Sequence, residues 1–211
     1  NMLVGVRPAP GARSANHALE LSDYDNLFQG RAIFTGFRRD DTACSLYRKI
    51  LGSAFKALPQ RLQELHGGSK SRRWTGLAQV RRGSNAMARI IGVIFHFPQA
   101  AAKVPVSVTF TMEEEGERWT RDFDGKVFSS VQSCGTGRNA NLLVERFGVA
   151  TFALALVVEG DRLFLVPRRW SLLGVPMPGF LLPSGSSFES EESGQFYFDV
   201  EISVPLVGMI V

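Results

Sequence analysis

Residues 106–133 decide the fold, and they read VSVTFTMEEEGERWTRDFDGKVFSSVQS. Over Val106–Met112 apolar residues alternate with Ser and Thr, which is the pattern of a strand with one buried face. The chain then reverses at Glu115-Gly116 and again at Asp124-Gly125, a dipeptide that suits the two positive φ angles of a tight hairpin turn. The stretch therefore predicts consecutive antiparallel strands.

The same pattern continues on both sides of this stretch. The segment 152–158 is apolar on both faces, which predicts a strand covered on both sides, and it reverses at 159–161 into a further strand. Alternation over 196–204 predicts a last strand with a buried and a wet face. Upstream, the segment 74–82 alternates as a first strand.

Helices are predicted before and after that first strand. Apolar residues recur at three- and four-residue intervals from Leu46 to Leu58, with Thr42 as the cap, and Pro59 begins a second short helix. Ser84 or Asn85 caps a third helix. Its apolar stripe consists of Met87, Ile90, Ile91 and Ile94.

Together these elements predict an α+β fold. We expect a strongly curved antiparallel sheet of about seven or eight strands, packed against two or three N-terminal helices. The arrangement is analogous to that of helix-grip proteins. Residues 1–43 are predicted to be an N-terminal extension or linker, and residues 44–211 a single domain.

Charge is divided unevenly along the chain. Residues 1–103 contain 16 Lys and Arg against 6 Asp and Glu, whereas residues 104–211 contain 8 against 14. Four arginines, at 72, 73, 81 and 82, flank Trp74 and could contact phosphate or an acidic partner, but a solvated sheet edge is the simpler interpretation. Because basic and aromatic residues do not interleave as in single-strand binders, we expect no nucleic-acid partner.

The cell compartment is predicted from cysteine usage and hydropathy. Cys44 and Cys134 are far apart in sequence, so we expect small packing residues in a reducing cytoplasm rather than a disulfide framework. Met2–Ala12 lacks a continuous apolar stretch, which predicts neither a secretory signal nor a membrane span.

Arg121 is the most informative charged residue. It falls between Trp119 and Phe123 on the face that alternation assigns to the core, where an unpaired guanidinium would be costly. Glu145 is the preferred partner, and a ligand carboxylate or phosphate is the alternative. Stacking on a neighbouring aromatic ring is also compatible with this position.

A curled sheet gripping helices often leaves an apolar cavity. We expect an enclosed volume of about 300 Å³ or more. The predicted ligand-binding residues are Phe110, Trp119, Arg121, Phe123, Glu145 and Trp170. The apolar loop Leu172–Pro183, rich in Pro and Gly, should bury itself, cover a cavity or meet a partner.

Sequence motifs for catalysis are weak. The segment 134–140 contains Gly-x-Gly-x-x-Ala, yet strand-like sequence follows it, so we interpret it as a hairpin loop rather than a dinucleotide site. His17, His66 and His96 have no second ligand at metal spacing. The sequence thus predicts no catalytic residue, metal or cofactor.

Several short segments together resemble a bacterial family of domains of unknown function, number 4166. They are 46–66, Trp119-x-Arg121-x-Phe123, 145–148, 170–178 and 205–208. Members of that family occur alone or C-terminal to saccharopine-dehydrogenase-like modules, so the resemblance implies an oxidoreductase as a partner.

Two functions are compatible with the sequence. The first hypothesis is a non-catalytic module that binds a hydrophobic or amphipathic small molecule in a cavity between sheet and helices. The alternative is a protein-interaction domain that docks onto an NAD(P)-dependent oxidoreductase. An internal cavity favours the first hypothesis, and an exposed apolar patch favours the second.

Overall fold

A computed structural model describes residues 2–4, 7–8, 45–68, 71–114, 116–205 and 207–211. The predicted cap Thr42, Cys44, His17 and most of the predicted extension lie outside these ranges. The strands in the described ranges are β1 (Met2–Val4), β2 (Arg7–Pro8), β3 (Arg72–Val80), β4 (Ala101–Glu113), β5 (Gly116–Phe123), β6 (Lys126–Cys134), β7 (Leu143–Phe147), β8 (Ala150–Glu159), β9 (Arg162–Leu172), β10 (Val175–Pro176), β11 (Ser187–Glu192), β12 (Gln195–Val200), β13 (Ser203–Val204) and β14 (Gly208–Met209). The helices are α1 (Leu46–Leu51), α2 (Gln60–Gly67) and α3 (Ala86–Ile94), with 3-10 turns at Gly52–Ala57, Gly137–Asn139 and Gly179–Leu181.

The core of the fold is a curled antiparallel sheet. Its principal strands follow the order β12-β11-β9-β8-β7-β6-β5-β4-β3. These are nine strands in the described part of the chain, rather than the seven or eight predicted, because the segment that forms β11 was not predicted as a strand. The short β1 pairs with both β12 and β3, and so joins the two edges of the sheet.

The hairpins that the sequence predicts are confirmed. β4 and β5 pair with Val106 opposite Phe123, and β5 and β6 pair with Phe123 opposite Lys126. The turn between β5 and β6 contains Asp124 at φ 49° and Gly125 at φ 86°. Both positive angles are those of a primed turn, whose twist matches that of the strands.

α1 and α2 fill the inside of the curl. Side chains of Tyr47, Phe55, Leu62 and Leu65 are fully buried against inward-facing sheet residues. The predicted single helix over 46–58 is wrong in one respect, because it breaks at Gly52, whose φ of 56° ends α1. The cap of α1 is Ser45, whose hydroxyl accepts a hydrogen bond from the Arg48 amide.

α3 connects β3 and β4 and is only partly packed. Asn85 caps it as predicted, with its Oδ1 accepting a hydrogen bond of 2.7 Å from the Ala88 amide. The expected packing of this helix against the sheet is only partly formed: Ala88 and Gly92 are buried and Ile91 is half-buried, but most of the larger apolar side chains are exposed. Those exposed side chains are Met87, Ile90, Val93 and Ile94.

Two smaller expectations are also corrected. The last predicted strand stops at Val200, and Tyr197, which alternation assigns to the wet face, is buried. Cys134 is exposed rather than a packing residue. In the described ranges, every helix is too short or too polar to cross a bilayer.

Candidate functional site

A row of polar side chains crosses the inside of the sheet on three adjacent strands. Glu117 on β5 lies opposite Gln132 on β6, which in turn lies opposite Glu145 on β7. Glu117 and Gln132 are buried, and the Glu145 side chain is mostly buried. Because strand side chains alternate, Trp119, Arg121 and Phe123 share the inward face with Glu117.

Arg121 is paired inside the protein as the sequence predicts. It is only 7% exposed, and its Nη2 lies 3.5 Å from Glu145 Oε1. Its Nη1 donates a hydrogen bond of 2.9 Å to Ser130 Oγ, and that hydroxyl donates one of 2.5 Å to Glu145 Oε1. The guanidinium carbon also lies 5.1 Å from the centre of the Trp119 ring. A counter-charge and a hydroxyl bridge therefore satisfy the buried cation without a ligand.

A second ion pair lies beside the first. Arg72 Nη1 donates to Glu117 Oε2 at 3.0 Å and Nη2 donates to Glu117 Oε1 at 3.2 Å, a bidentate geometry. Trp119 Nε1 donates to the same carboxylate at 2.7 Å. Arg72 is therefore part of the interior, which corrects the interpretation of this arginine as a solvated edge residue.

The helices contribute two further groups to this cluster. Tyr47 on α1 donates from its hydroxyl to Gln132 Oε1 at 3.0 Å, and its ring stacks on His66 of α2 with 3.6 Å between ring centres. His66 Nε2 contacts the Glu189 carboxylate, and both side chains are fully buried. We call these nine residues the buried polar cluster: Tyr47, His66, Arg72, Glu117, Arg121, Ser130, Gln132, Glu145 and Glu189.

The sequence interpretation missed the His66–Glu189 pair. His66 lies at the end of a predicted helix, and Glu189 lies in the acidic segment 187–192, which resembles a solvated surface. The two residues are 123 positions apart, so local spacing carries no signal of the contact.

The cluster shifts the protonation of two of its members. Burial raises the pKa of Tyr47 well above 10.0, and the nearby carboxylates of Glu189, Glu145 and Glu117 add to this increase. Burial lowers the pKa of Arg121, while Glu145 opposes that change by favouring the charged form. Tyr47 is therefore a neutral hydrogen-bond donor near neutral pH.

The pKa of Tyr47 predicts a loss of stability in alkali. The folded state keeps this proton to a higher pH than the unfolded state, so the contribution is fully present below pH 10 and is lost as the pH rises further. We expect the free energy of unfolding to fall more steeply in the wild type than in Tyr47→Phe, by up to about 1.4 kcal/mol per pH unit. Urea unfolding between about pH 9 and 11 measures both slopes, and equal slopes would contradict the assignment.

The space inside the curl contains a small void beside the buried polar cluster. This void of about 10 Å³ is lined by residues that include Phe110, Trp119, Arg121 and Phe196. That volume holds about one water molecule, whereas a site for a small molecule needs about 300 Å³. The predicted cavity is therefore not formed at this position, because α1 and α2 fill the space between the walls of the sheet.

The structure places the predicted ligand-binding residues in three groups. Trp119, Arg121 and Glu145 belong to or border the buried polar cluster, with Phe110 in edge contact with Trp119 at 4.5 Å between ring centres. Phe123 stacks instead on Phe128. Trp170 lies apart from these residues, stacked on Phe152 at 6.2 Å between ring centres. Their role in ligand binding remains a prediction.

Around the His66–Glu189 pair, three buried polar atoms lack a hydrogen-bond partner among the described residues. They are His66 Nδ1, Glu189 Oε1 and Ser190 Oγ. Each such atom costs roughly 1–3 kcal/mol relative to a satisfied one.

The glycine-containing loop after β6 is a hairpin loop, as the sequence predicts. It joins the antiparallel strands β6 and β7, and only a short 3-10 turn follows its glycines. It lacks the helix N-terminus that a dinucleotide pyrophosphate requires.

The positive and negative side chains of the buried polar cluster balance one another in number. Two guanidinium groups and one imidazole face three carboxylates, and large aromatic side chains surround them. Such an arrangement fixes the relative positions of α1, α2 and the sheet, because each charged group requires its partner in place. His66 and Glu189 together form an acid–base pair, but both are sealed from solvent.

Comparisons with known proteins give one result at the level of the family. The family model described as "Domain of unknown function (DUF4166)" matches residues 58–211, which include α2, the curled sheet from β3 onward and most of the buried polar cluster. Comparisons with curated proteins and with solved structures found no match. Since the model spans well over half of the chain, the protein belongs to the DUF4166 family.

Proposed function

We propose that this protein is a non-catalytic binding module that docks onto an anionic membrane surface. The observation that carries the proposal is an exposed apolar surface on two separate elements. We call it the docking surface and define it by Met87, Ile90, Val93, Ile94, Val149, Leu173 and Val175. Val93 is 74% exposed and Leu173 is 75% exposed. Exposed apolar side chains gathered in this way typically mark an interaction site.

Ring contacts and a backbone hydrogen bond connect the two elements. Phe95, directly after α3, contacts Phe147 at the end of β7 with 5.5 Å between ring centres. Two residues further on, the carbonyl of Val149 accepts a hydrogen bond of 2.8 Å from the Leu173 amide. The α3 part and the loop part of the docking surface therefore lie at the same end of the curled sheet.

Leu173 adds an argument from backbone strain. Its φ of 51° is in the left-handed region, which side chains other than Gly, Asn and Asp rarely adopt. Its side chain projects into solvent, so packing within the described part of the chain does not compensate for this conformation. Strain kept at an exposed apolar residue is consistent with a functional role for that side chain.

Charge identifies the partner that suits this surface. From Leu65 to Met112 the sequence contains seven Lys and Arg and no Asp or Glu. Arg81, Arg89 and Lys103 are exposed on or beside α3. An apolar helix face flanked by basic residues matches a bilayer that contains anionic lipids, since apolar side chains enter the interface and cations lie among the headgroups.

The two hypotheses from the sequence require different structural features. The small-molecule hypothesis needed an internal cavity, and the void of about 10 Å³ does not support it. An amphipathic ligand would instead meet this protein at its surface. The oxidoreductase hypothesis needed an exposed apolar patch, and the docking surface meets that requirement. Docking onto an oxidoreductase is thus the second candidate, for the same surface.

Vesicle binding tests the membrane proposal. We expect the full chain to sediment with vesicles of phosphatidylcholine mixed with phosphatidylglycerol, to bind pure phosphatidylcholine more weakly, and to release at high salt. The double variant Ile90→Asp with Val93→Asp should bind the anionic vesicles about tenfold more weakly or worse, because it replaces two inserted apolar groups by charges.

Met112→Asp is the matched control. Met112 is also an exposed apolar residue, but it lies at the far end of β4 from α3. The Met112→Asp substitution should leave vesicle binding unchanged. Absence of binding by the folded wild type, or equal losses in the control, would overturn the membrane proposal. Saturable binding of a purified oxidoreductase that Ile90→Asp with Val93→Asp abolishes would then establish the second candidate.

A further inference from the structure

An open pocket of about 150 Å³ lies beside the loop part of the docking surface. The end of β9, the neighbouring β8 residues and the 3-10 turn Gly137–Asn139 surround it. The side chains that can donate hydrogen bonds at this pocket belong to Arg138, Asn139, Thr151, Arg169 and Ser171. Gly174 also lines the pocket, and it stands between Leu173 and Val175 of the docking surface.

The pocket is positively charged and lacks an internal counter-charge. Arg138 and Arg169 line it, and no Asp or Glu is among the lining residues. Arg169 Nη1 donates to the Arg138 carbonyl at 2.7 Å, which fixes the Arg169 guanidinium and leaves its Nη2 and Nε for another acceptor. The Arg138 guanidinium has no hydrogen bond or ion pair within the described ranges.

Neutral donors surround the two guanidinium groups. Thr151 and Ser171 lie opposite each other in the β8–β9 ladder, which places two hydroxyl groups on one wall. Such a set of donors requires an acceptor with several oxygen atoms, and two arginines suit the geometry of phosphate oxygens.

The volume of the pocket limits what can bind. At about 150 Å³ it is smaller than the 300–1,000 Å³ typical of sites that enclose a whole ligand. It is open to solvent on one side, so a phosphate group can enter while the remainder of its molecule stays outside. We propose that this pocket binds the phosphate group of a phosphate ester.

Two sources can supply that group. One is a phospholipid headgroup, presented when the docking surface contacts a membrane, and this source rests on the proposed function. The other is a free phosphorylated small molecule, which does not depend on the membrane. The shared chemistry is a phosphate ester held by Arg138 and Arg169.

Titration by NMR measures the binding directly. We expect glycerol 3-phosphate and inorganic phosphate to shift the backbone amide resonances of Thr151 and Ser171 saturably, and equal concentrations of acetate to bind more weakly. Arg138→Gln and Arg169→Gln should each weaken phosphate binding about tenfold. Arg168→Gln is the matched control, because Arg168 is exposed and adjacent in sequence but does not line the pocket.

Further measurements distinguish the two sources of the phosphate group, and they distinguish the pocket proposal from the membrane proposal. If Arg169→Gln weakens binding to vesicles that contain phosphatidic acid, the headgroup source is supported; unchanged vesicle binding with lost glycerol 3-phosphate binding supports the free ligand. The double variant Ile90→Asp with Val93→Asp should still bind phosphate even if it no longer binds vesicles. A folded wild type that shows no saturable shift with either phosphate compound, or equal losses in Arg168→Gln, overturns the pocket assignment.

Discussion

Replacing Arg121 by Ala is expected to lower the free energy of unfolding by about 3–5 kcal/mol. The substitution removes the counter-charge of Glu145 and the donor to Ser130, both in the interior of the curled sheet. The carboxylate would then stay in a mostly buried position without its cation, and this uncompensated charge accounts for most of the expected loss. Urea unfolding at neutral pH, followed by tryptophan fluorescence, measures the difference.

Two controls distinguish this explanation from a general effect of losing an arginine. Arg118→Ala removes a neighbour on the same strand whose ion pair with Glu113 is solvent-exposed, so stability should change little. The double variant Arg121→Met with Glu145→Leu replaces both charges by apolar groups and should recover most of the stability. A small loss in Arg121→Ala, or a double variant that is no better than the single one, would contradict the role given to the ion pair.

Gly116→Ala is expected to destabilise the protein by about 3 kcal/mol or more. Gly116 begins β5 with a φ of 150°, which L-residues rarely adopt. A Cβ atom there would lie 2.0 Å from the carbonyl oxygen of Gln132, so the β5–β6 ladder would have to move apart. That ladder also positions Gln132, the acceptor for Tyr47, so disorder should spread to the buried polar cluster.

Gly148→Ala provides the comparison for that variant. Gly148 also has a positive φ, of 56°, but a Cβ atom there would have no neighbour within 4 Å. At this position the only penalty is that of an Ala residue at a positive φ, so the free energy of unfolding should fall by about 1 kcal/mol. Thermal unfolding by circular dichroism ranks the two variants, and similar losses in both would show that the steric contact with Gln132 is not the cause.

Local sequence pattern was sufficient for most of the sheet. Alternation identified β4, β5 and β12 because each has apolar side chains on the face that joins the core and mainly polar side chains on the other face. Turn signals identified β6, and a continuous apolar run identified β8. Sequence pattern failed for β11, whose sequence SFESEE has too few apolar residues to indicate a strand with an inward face. There the buried side chains are Glu189 and Ser190, and Glu189 is accommodated by His66 rather than by apolar contact.

The candidate site was also predictable from the sequence only in part. The partnership of Arg121 and Glu145 followed from sequence because a cation on an apolar face must have an anion, and a strand-like segment nearby offered one. Contacts between α2 and β11, or between Tyr47 and the β6 strand, depend on how the helices fit inside the curl. That fit is decided by the volume of side chains from many strands, and no short motif contains it.

The third helix marks the limit of periodicity as evidence. Its sequence indicates which side chains share a face, and α3 has the stripe that the spacing predicts. Periodicity does not indicate whether anything covers that face. Three side chains of that stripe, Met87, Ile90 and Ile94, carry the membrane proposal together with Val93, so their exposure changes the functional conclusion more than any other difference between expectation and structure.

The attachment of β1 to both β3 and β12 has a consequence for biosynthesis. Residues 2–4 leave the ribosome before residues 198–200, which form one of their two partners. At about 5–20 residues per second, synthesis of the intervening chain takes roughly 10–40 s. During that interval the free side of the nascent sheet is available to other nascent chains, and pairing between them competes with completion of the ring. Newly made protein should therefore depend on chaperones until residues 198–200 have emerged and paired with β1.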